Sequence, residues 1–252
     1  MNSTFVLTQG AGHKLETAIK RNDGDTNDVE WLSTEENFTA VSMLVRGKAK
    51  LVLIDQSGET IKPVIPAIPA GSKWVIDSEG TIYFEVTSNG RTNEQWITYF
   101  EKEKKDAKGQ PYRVSDWGKN VLRRATDAPT TGVTYNIAVR PGNKIKNKDR
   151  YTKTIRKDAE VRGWKTPHWE VGPLIRDLLT DAELEELGLW YIVAMHDAIN
   201  DSDGDPSVLC AGRDDDGRCL DAFYGGPGFS WYGNGGFAFV LPQEPSTSVS
   251  QT

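Results

Sequence analysis

The stretch that decides the fold covers residues 189–242 and reads LWYIVAMHDAINDSDGDPSVLCAGRDDDGRCLDAFYGGPGFSWYGNGGFAFVLP. An apolar run opens the stretch, and an acidic turn follows it. Three further strand-like runs come after the turn, at residues 207–212, 218–224 and 236–241. Because short apolar runs bounded by Gly and Asp clusters are typical of strands joined by tight turns, the stretch predicts a compact antiparallel sheet.

Residues 221–234 combine aromatic side chains with Gly, Ser and Asn and show no clean alternation of their own. Rigid rings beside small polar groups are the chemistry of a recognition surface. A well-packed domain end is the alternative, and Trp231 and Phe237 are expected to be core. No nucleophile, base and orienting group occur together, which favours a binding protein over an enzyme. The residues that are harder to bury together are the predicted ligand-binding residues: Asp221, Phe223, Tyr224, Ser230, Tyr232 and Asn234.

The chain of 252 residues has a formal net charge of -6 and a hydrophobic fraction of 37%. This length is enough for one large domain or two modest ones. The negative charge does not suit a protein that coats nucleic acid or an anionic membrane, so neither is an expected partner. We see no secretory signal, and no apolar stretch approaches the roughly 20 residues of a membrane helix. A cytoplasmic or virion-associated protein is therefore expected.

The N-terminal part is predicted to be a mixed α+β unit rich in strands. Apolar spacing indicates helices over residues 12–21 and 33–47, the second opened by the capping-box pair Ser33 and Glu36. Strands are predicted over residues 50–54 and 95–101, with a hairpin of residues 73–77 and 81–87 between them.

The charged segment 101–111 ends in Gly and Pro, as linkers often do. It predicts a boundary between an N-terminal domain of residues 1–105 and a C-terminal domain of residues 106–243. The polar residues 244–252 are expected to be a disordered tail.

Beyond this boundary, Ser115 is expected to open a short helix, and residues 134–140 are expected to form a strand. The pattern T-x-x-E from Thr180 to Glu183 predicts a capping box. It opens a helix that Gly188 is expected to end.

Residues 140–157 contain eight Lys or Arg and one acid, Asp149, so this segment carries +7 and the remainder of the chain -13. Two interpretations stay open, a solvated loop and helix face or a local contact for phosphate or an acidic partner. Tyr151 is the one aromatic residue in the segment, so the sequence lacks the interleaved rings typical of single-stranded nucleic-acid binding.

Asp201, Asp203 and Asp205 alternate in the sequence DSDGDP and form a calcium candidate, because acidic residues around a Gly can present oxygen ligands. The downstream Glu of an EF-hand loop is missing, and such clusters are also common as plain turns. His196 follows an apolar run, and a catalytic role would require a Ser, Cys or metal partner. No metal site is therefore assigned.

Cys210 and Cys219 flank the turn sequence RDDDGR. A turn at residues 214–215 would place the two cysteines opposite each other, where a disulfide could form. A turn at residues 216–217, which type I′ geometry favours, would place Cys210 opposite Phe223 instead. Buried free thiols are the default expectation.

The sequence DDGRCLDAFYGGPGFSWYGNGGFAFVLP resembles the C-terminal ends of the variable proteins of diversity-generating retroelements. The sequences LTDAELEELGLWYIVAMHDAINDSDGDPSVL and NDGDTNDVEWL are similar to the same group of bacterial and phage proteins. The resemblance implies a C-type lectin-like fold for the C-terminal domain, with a small sheet that displays hypervariable residues and a last strand that contains Gly-Phe. The residue types at the family's variable sites include those of all six predicted binding residues.

The aromatic segment and the resemblance together predict recognition of a protein or glycan ligand, with no cofactor. Two alternatives stay open. Formylglycine-generating enzymes share the lectin-like fold and a Gly-Phe ending, which would make Cys210 or Cys219 a reactive or metal-binding thiol in an accessible, electropositive pocket. A structural virion or assembly protein would instead use the aromatic patch as the subunit interface of a homo-oligomer.

Overall fold

The structure, a computed structural model, describes residues 66–214 and 217–242. These residues form a mixed β-sheet with helices on its faces, so the predicted α+β class is confirmed. The strands are β1 (Trp74–Ile76), β2 (Ile82–Asn89), β3 (Arg113–Val114), β4 (Thr131–Pro141), β5 (Tyr191–Ala194), β6 (Ile199–Asn200), β7 (Pro206–Asp214), β8 (Gly217–Tyr224) and β9 (Gly235–Val240). The α-helices are α1 (Asn93–Thr98), α2 (Asp116–Arg124), α3 (Thr152–Val161), α4 (Val171–Leu178) and α5 (Asp181–Glu186). A π-helical turn (Tyr99–Glu103) follows α1, and two 3-10 turns (Gly142–Lys144 and Asn147–Asp149) precede α3.

The strands form one sheet in the order β1-β2-β4-β9-β5-β7-β8-β3, with β6 paired to β7 beside this path. The pairs β5–β9 and β3–β8 are parallel, and the other neighbours are antiparallel. Strand β9 lies in the interior of the sheet, between β4 and β5. Since β4 and β9 are antiparallel, the end of β4 lies beside the start of β9, where Pro141 pairs with Gly236.

Each face of the sheet carries a hydrophobic core. On one face, residues such as Phe84 and Leu209 pack with buried side chains from α1, α2, α4 and α5. On the other face, Val193 and Phe237 pack with Ile155 of α3 and with Trp231. Strands covered on both faces are expected to be apolar at nearly every position, as β5 and β9 are.

Local sequence signals explain several element boundaries. The predicted hairpin of β1 and β2 is confirmed, and Asp77 Oδ1 closes it by accepting the backbone N–H groups of Glu79 (2.9 Å) and Thr81 (2.8 Å). Gly80 provides the positive φ, +79°, that this turn requires. The helix predicted from Ser115 is α2, and the strand predicted over residues 134–140 lies within β4.

The capping box predicted at Thr180 is also confirmed. The Glu183 N–H lies 3.3 Å from Thr180 Oγ1, and the Thr180 N–H donates back to the Glu183 carboxylate at 2.7 Å. Both bonds satisfy backbone groups that a helix start otherwise leaves without a partner.

The strand predicted over residues 95–101 is wrong, because these residues are helical. Thr92 and Gln95 form a capping box, with the Thr92 N–H donating to Gln95 Oε1 at 2.8 Å. Trp96 and Phe100, one helical turn apart, bury the same face, and their rings stack with centroids 5.5 Å apart. The apolar residues of this run follow the spacing of a helix and not the two-residue spacing of a strand.

The domain boundary predicted after residue 105 also needs correction. Strands β1 and β2 precede that point, yet β2 pairs with β4 over most of its length. Residues on both sides of the predicted linker thus belong to one sheet and one compact unit. The charge of residues 101–111 reflects an exposed turn and not a linker between domains. The elements predicted before residue 66 and the tail of residues 244–252 lie outside the described residues.

Within residues 66–214 and 217–242, no helix is both long and apolar enough to cross a membrane.

Candidate functional site

The aromatic loop of residues 225–234 connects β8 to β9. It lies against residues 140–157, which we call the basic segment. The N–H of Trp231 donates to the Arg150 carbonyl at 2.8 Å. In return, the N–H groups of Thr152 and Lys153 donate to carbonyls of the loop, each at 3.1 Å. The pairing of β4 with β9 causes this arrangement, because the basic segment leaves the end of β4 where the loop enters β9. We call the loop together with residues 142–153 the composite face.

The backbone of the aromatic loop and the backbone of the basic segment lie close to each other at Gly142. A Cβ atom at this position would lie 2.8 Å from the carbonyl oxygen of Tyr232 and 3.1 Å from that of Gly235. Both atoms belong to the backbone and cannot rotate away, so a side chain here would push the two segments apart. The sequence therefore needs glycine at this contact.

Four of the six predicted binding residues are exposed on or beside the loop. Tyr232 is the most open, with 76% of its surface accessible, and Tyr224 is 37% accessible. Ser230 and Asn234 are also exposed. The Tyr224 ring packs edge-on against Phe229, with centroids 5.8 Å apart. The loop and the strand end before it thus present two tyrosines and two small polar residues to solvent.

Phe223 and Asp221 are more enclosed than the other four. The Phe223 ring lies between Tyr191 (5.0 Å) and Trp231 (5.7 Å), so it supports the loop from below. The Asp221 carboxylate accepts the Ser115 hydroxyl and the N–H of Ala222, which joins β8 to the start of α2. Both side chains are half-buried and already have partners within the protein.

Trp231 is the buried support of the loop, as predicted. Its exposure is 3%, and its indole N–H donates to Thr152 Oγ1 at 3.0 Å. Its ring contacts those of Phe229 (4.7 Å) and Phe237 (5.5 Å) edge-on, a geometry that aromatic pairs prefer. Tyr232, the next residue, is therefore displayed from a fixed base.

Two exposed aromatic residues near the loop were missed by the sequence analysis. Tyr151 is 36% accessible and is bridged to Ser230 through the backbone. Trp190 is 42% accessible, and its N–H donates to the Asn234 carbonyl at 2.8 Å. No local pattern marks them, because each reaches the loop through contacts distant in sequence.

The exposed rings and the basic segment share one region of the described structure. No protein-family model, curated protein or solved structure matches the chain. The candidate site is therefore defined by its own geometry and chemistry.

The cysteines follow neither of the two registers considered for the hairpin. The last residues paired are Asp214 and Gly217, which places Cys210 opposite Asp221 and Cys219 opposite Gly212. Neither cysteine forms a disulfide, and both are buried, at 1% and 3% exposure. Burial also raises the pKa of Cys210 well above its usual value. A reactive thiolate in an accessible pocket is therefore not supported.

The three acids of the calcium candidate lie in a turn that is held by one of them. The Asp201 carboxylate accepts the N–H groups of Asp203 (2.9 Å) and Asp205 (3.0 Å), so it closes its own turn. In the described part of the chain, no group of three or more His, Cys, Asp or Glu residues is placed to hold a metal ion. The alternating acids form an ordinary Asx-type turn.

A cleft of about 680 Å³ lies elsewhere, between β2 and the segments around α4 and α5. Asp177 there accepts from both Lys104 (2.6 Å) and the Tyr99 hydroxyl (2.8 Å), and Lys73 pairs with Glu183 at 2.7 Å. Because these groups already neutralise one another, the cleft is a weaker candidate than the composite face.

His196 lies at the end of β5 and helps to hold the basic segment. Its Nε2 accepts the Leu209 N–H at 2.9 Å, so this nitrogen carries no proton. Arg156 of α3 donates to the carbonyls of Met195 (2.9 Å) and His196 (2.5 Å). Burial, and secondarily the Arg156 charge, lower the pKa of His196 to about 4, although the Asp197 carbonyl and carboxylate act in the opposite direction.

We expect His196 to make folding sensitive to acid. The unfolded chain binds a proton at this ring near pH 6.5, whereas the folded chain binds one only near pH 4. Protonation therefore favours the unfolded state in this window, and stability falls as the pH drops through it. The loss is on the order of 3 kcal/mol. An NMR titration of the His196 ring should show protonation near pH 4, and protonation near pH 6.5 would contradict the expectation.

The contribution to stability can be isolated with His196→Gln. Denaturant unfolding at pH 7 and pH 4.5 should show a smaller pH-dependent loss in this variant than in the wild type. An equal loss in both proteins would assign the acid sensitivity to other groups.

Proposed function

We propose that this protein is a ligand-recognition protein and that the composite face binds a protein or glycan. The observation that carries the proposal is the contrast between neighbouring residues: Trp231 is buried, whereas Tyr232 is 76% exposed. A tyrosine held open on a rigid base loses little conformational entropy on binding and offers both apolar area and a hydroxyl. Tyr224, Ser230 and Asn234, which are also exposed on or beside the loop, offer similar chemistry.

We further propose that the scaffold is C-type lectin-like and that the protein is a variable protein of a diversity-generating retroelement. Two features support this proposal beyond the sequence resemblance. The last strand, β9, contains Gly236 and Phe237 and lies in the interior of the sheet. The four most exposed of the predicted binding residues gather at or beside the loop that enters this strand.

The enzymatic alternative has less support, because both cysteines are buried and burial raises the pKa of the Cys210 thiol well above its usual value. The assembly alternative uses the same exposed rings as the binding proposal, with a second copy of the chain as the ligand. Light scattering of the purified protein separates the two: a monomer leaves the face free for another ligand.

The binding proposal is tested by screening the protein on glycan and protein arrays and measuring the dissociation constant for each ligand found. Tyr232→Ala should weaken binding about tenfold or more, since aromatic residues at the centre of an interface contribute more than about 1.4 kcal/mol. Ile76→Ala is the matched control. Ile76 is an apolar side chain that is 51% exposed. It lies on β1, at the edge of the sheet opposite to β8 and β3. Ligands that bind both variants as tightly as the wild type would refute the proposal.

The retroelement assignment has its own test in the coding DNA. We expect a near-identical template repeat beside a reverse transcriptase gene, with adenines at the positions that correspond to the codons of Tyr224, Ser230, Tyr232 and Asn234. A genomic neighbourhood that holds neither the repeat nor the reverse transcriptase would reject this assignment and leave the binding proposal to the arrays.

A further inference from the structure

We infer that the partner of the composite face is a protein that presents an acidic surface segment. This inference rests on the binding function proposed above and adds the class and charge of the ligand. It begins with the uneven charge of the chain: residues 140–157 carry +7, whereas the remainder carries -13. A positive region on a negative molecule attracts acidic groups to that region alone.

The arginines of the basic segment are used within the protein. Arg140 lies 3.5 Å from the Glu79 carboxylate and is mostly enclosed. Arg150 donates to the Ile145 carbonyl at 3.0 Å, and Arg156 holds the end of β5. These three side chains fix the path of the segment and are not the groups that meet a ligand.

The lysines of the segment have a different environment. All five are exposed, and none forms an ion pair with another residue in the part of the chain that the structure describes: Lys144, Lys146, Lys148, Lys153 and Lys157. An ammonium group with no internal partner keeps its charge for an external one. Because it is a compact charge on a flexible stem, it can meet carboxylates in many geometries.

Three of these lysines lie in or beside the backbone that contacts the aromatic loop. Lys146 and Lys148 lie in the connection between Gly142 and Arg150, both of which contact the aromatic loop. The backbone of Lys153 is bonded directly to the loop at the Pro227 carbonyl. The composite face thus combines exposed aromatic side chains with unpaired lysines of the adjoining segment, and interfaces between proteins use both aromatic contacts and complementary charge.

The charge distribution favours a compact acidic partner over a long polyanion. Electrostatic attraction extends only about 8 Å at physiological ionic strength, so a short acidic segment senses the lysines and little else. A nucleic acid would run past this patch and meet the negative remainder of the chain. Exposed tyrosine and tryptophan side chains are also enriched where proteins contact proteins.

The inference is tested with a fluorescein-labelled decaglutamate peptide as the probe, read by fluorescence anisotropy at low and physiological salt. Three variants are compared with the wild type. The first carries Lys146→Glu, Lys148→Glu and Lys153→Glu. The matched control carries Lys102→Glu, Lys105→Glu and Lys108→Glu, three exposed lysines outside the composite face with the same change in net charge. The third variant replaces Lys146, Lys148 and Lys153 with Gln. It removes the three charges without reversing them, so it still tests the inference if the Glu variant folds poorly.

We expect the wild type to bind decaglutamate, with affinity that falls as salt rises. The first variant should bind about tenfold more weakly or worse, the Gln variant should be intermediate, and the control should stay within about twofold of the wild type. No binding to the wild type at low salt would overturn the inference, as would an equal loss in the control. Tighter binding of a single-stranded thymidine decamer than of decaglutamate would overturn the choice of a protein partner.

The same variants separate this inference from the binding proposal. A ligand from the arrays that requires Tyr232 but not the three lysines would overturn the acidic-partner inference and leave the binding proposal intact. A ligand that requires both supports both. Decaglutamate binding that depends on the lysines, with array ligands indifferent to Tyr232, would support the charge inference and refute the aromatic surface.

Discussion

Trp231→Ala is expected to lower the free energy of unfolding by about 3–5 kcal/mol, whereas Tyr232→Ala should change it by no more than about 0.5 kcal/mol. The two residues are adjacent in sequence, but Trp231 is 3% exposed and Tyr232 is 76% exposed. Truncation of Trp231 removes contacts with three aromatic rings and leaves the Thr152 hydroxyl without its indole partner. Denaturant unfolding of both variants measures the difference in the free energy of unfolding. The comparison holds if the two variants have the same m-value.

Two further substitutions calibrate this comparison. Phe237→Ala should cost about as much as Trp231→Ala, because Phe237 is fully buried. Tyr224→Ala should be intermediate, at about 1 kcal/mol, since its ring is partly exposed but rests on Phe229 and Gly226. If Tyr232→Ala proved as destabilising as Trp231→Ala, the loop would be part of the core and the proposed binding surface would lose its physical basis.

Arg176→Leu is the second substitution with a large expected effect, about 3–5 kcal/mol of lost stability. The guanidinium is fully buried, donates to the carbonyls of Gly212 (2.7 Å) and Leu179, and lies 3.2 Å from the Asp181 carboxylate. It therefore joins the end of α4 to β7 and to the start of α5. Its removal leaves two carbonyls without this donor and the Asp181 carboxylate without the nearby positive charge, and leucine supplies neither.

The matched control for Arg176 is Arg123→Leu. Arg123 also pairs with a carboxylate, Glu94, at 2.6 Å, but both side chains are more than half exposed. Water replaces the lost partner there, so the change in the denaturation midpoint should be much smaller. Similar midpoints for the two variants would show that the buried guanidinium contributes no more than a surface ion pair.

Local signals in the sequence were sufficient to predict several elements. The capping residues Ser115 and Thr180 mark the starts of α2 and α5, and short runs of apolar residues mark β2 and β4. These features depend on groups a few residues apart, so a single sequence contains them. The helix at Trp96 was missed because its short apolar run fits a strand equally well.

Features that depend on distant contacts were not predictable in the same way. The pairing of β2 with β4 spans the charged segment that suggested a linker, and no local pattern encodes that pairing. The hairpin register was also missed, because turn preferences alone do not determine which residues pair. The composite face needs residues near 150 to meet residues near 231, and no local pattern in the sequence links the two segments.

The interior position of β9 has a consequence for how the protein is synthesised. Strands β4 and β5 are complete long before β9 leaves the ribosome, yet each needs β9 as its hydrogen-bonding neighbour. Until then the nascent chain exposes two apolar strand edges, a state that favours misassociation between chains. The sheet becomes continuous only when residues 235–240 pair between β4 and β5. The same pairing places the aromatic loop against the basic segment. The sheet and the composite face are therefore completed by the same segment of the chain.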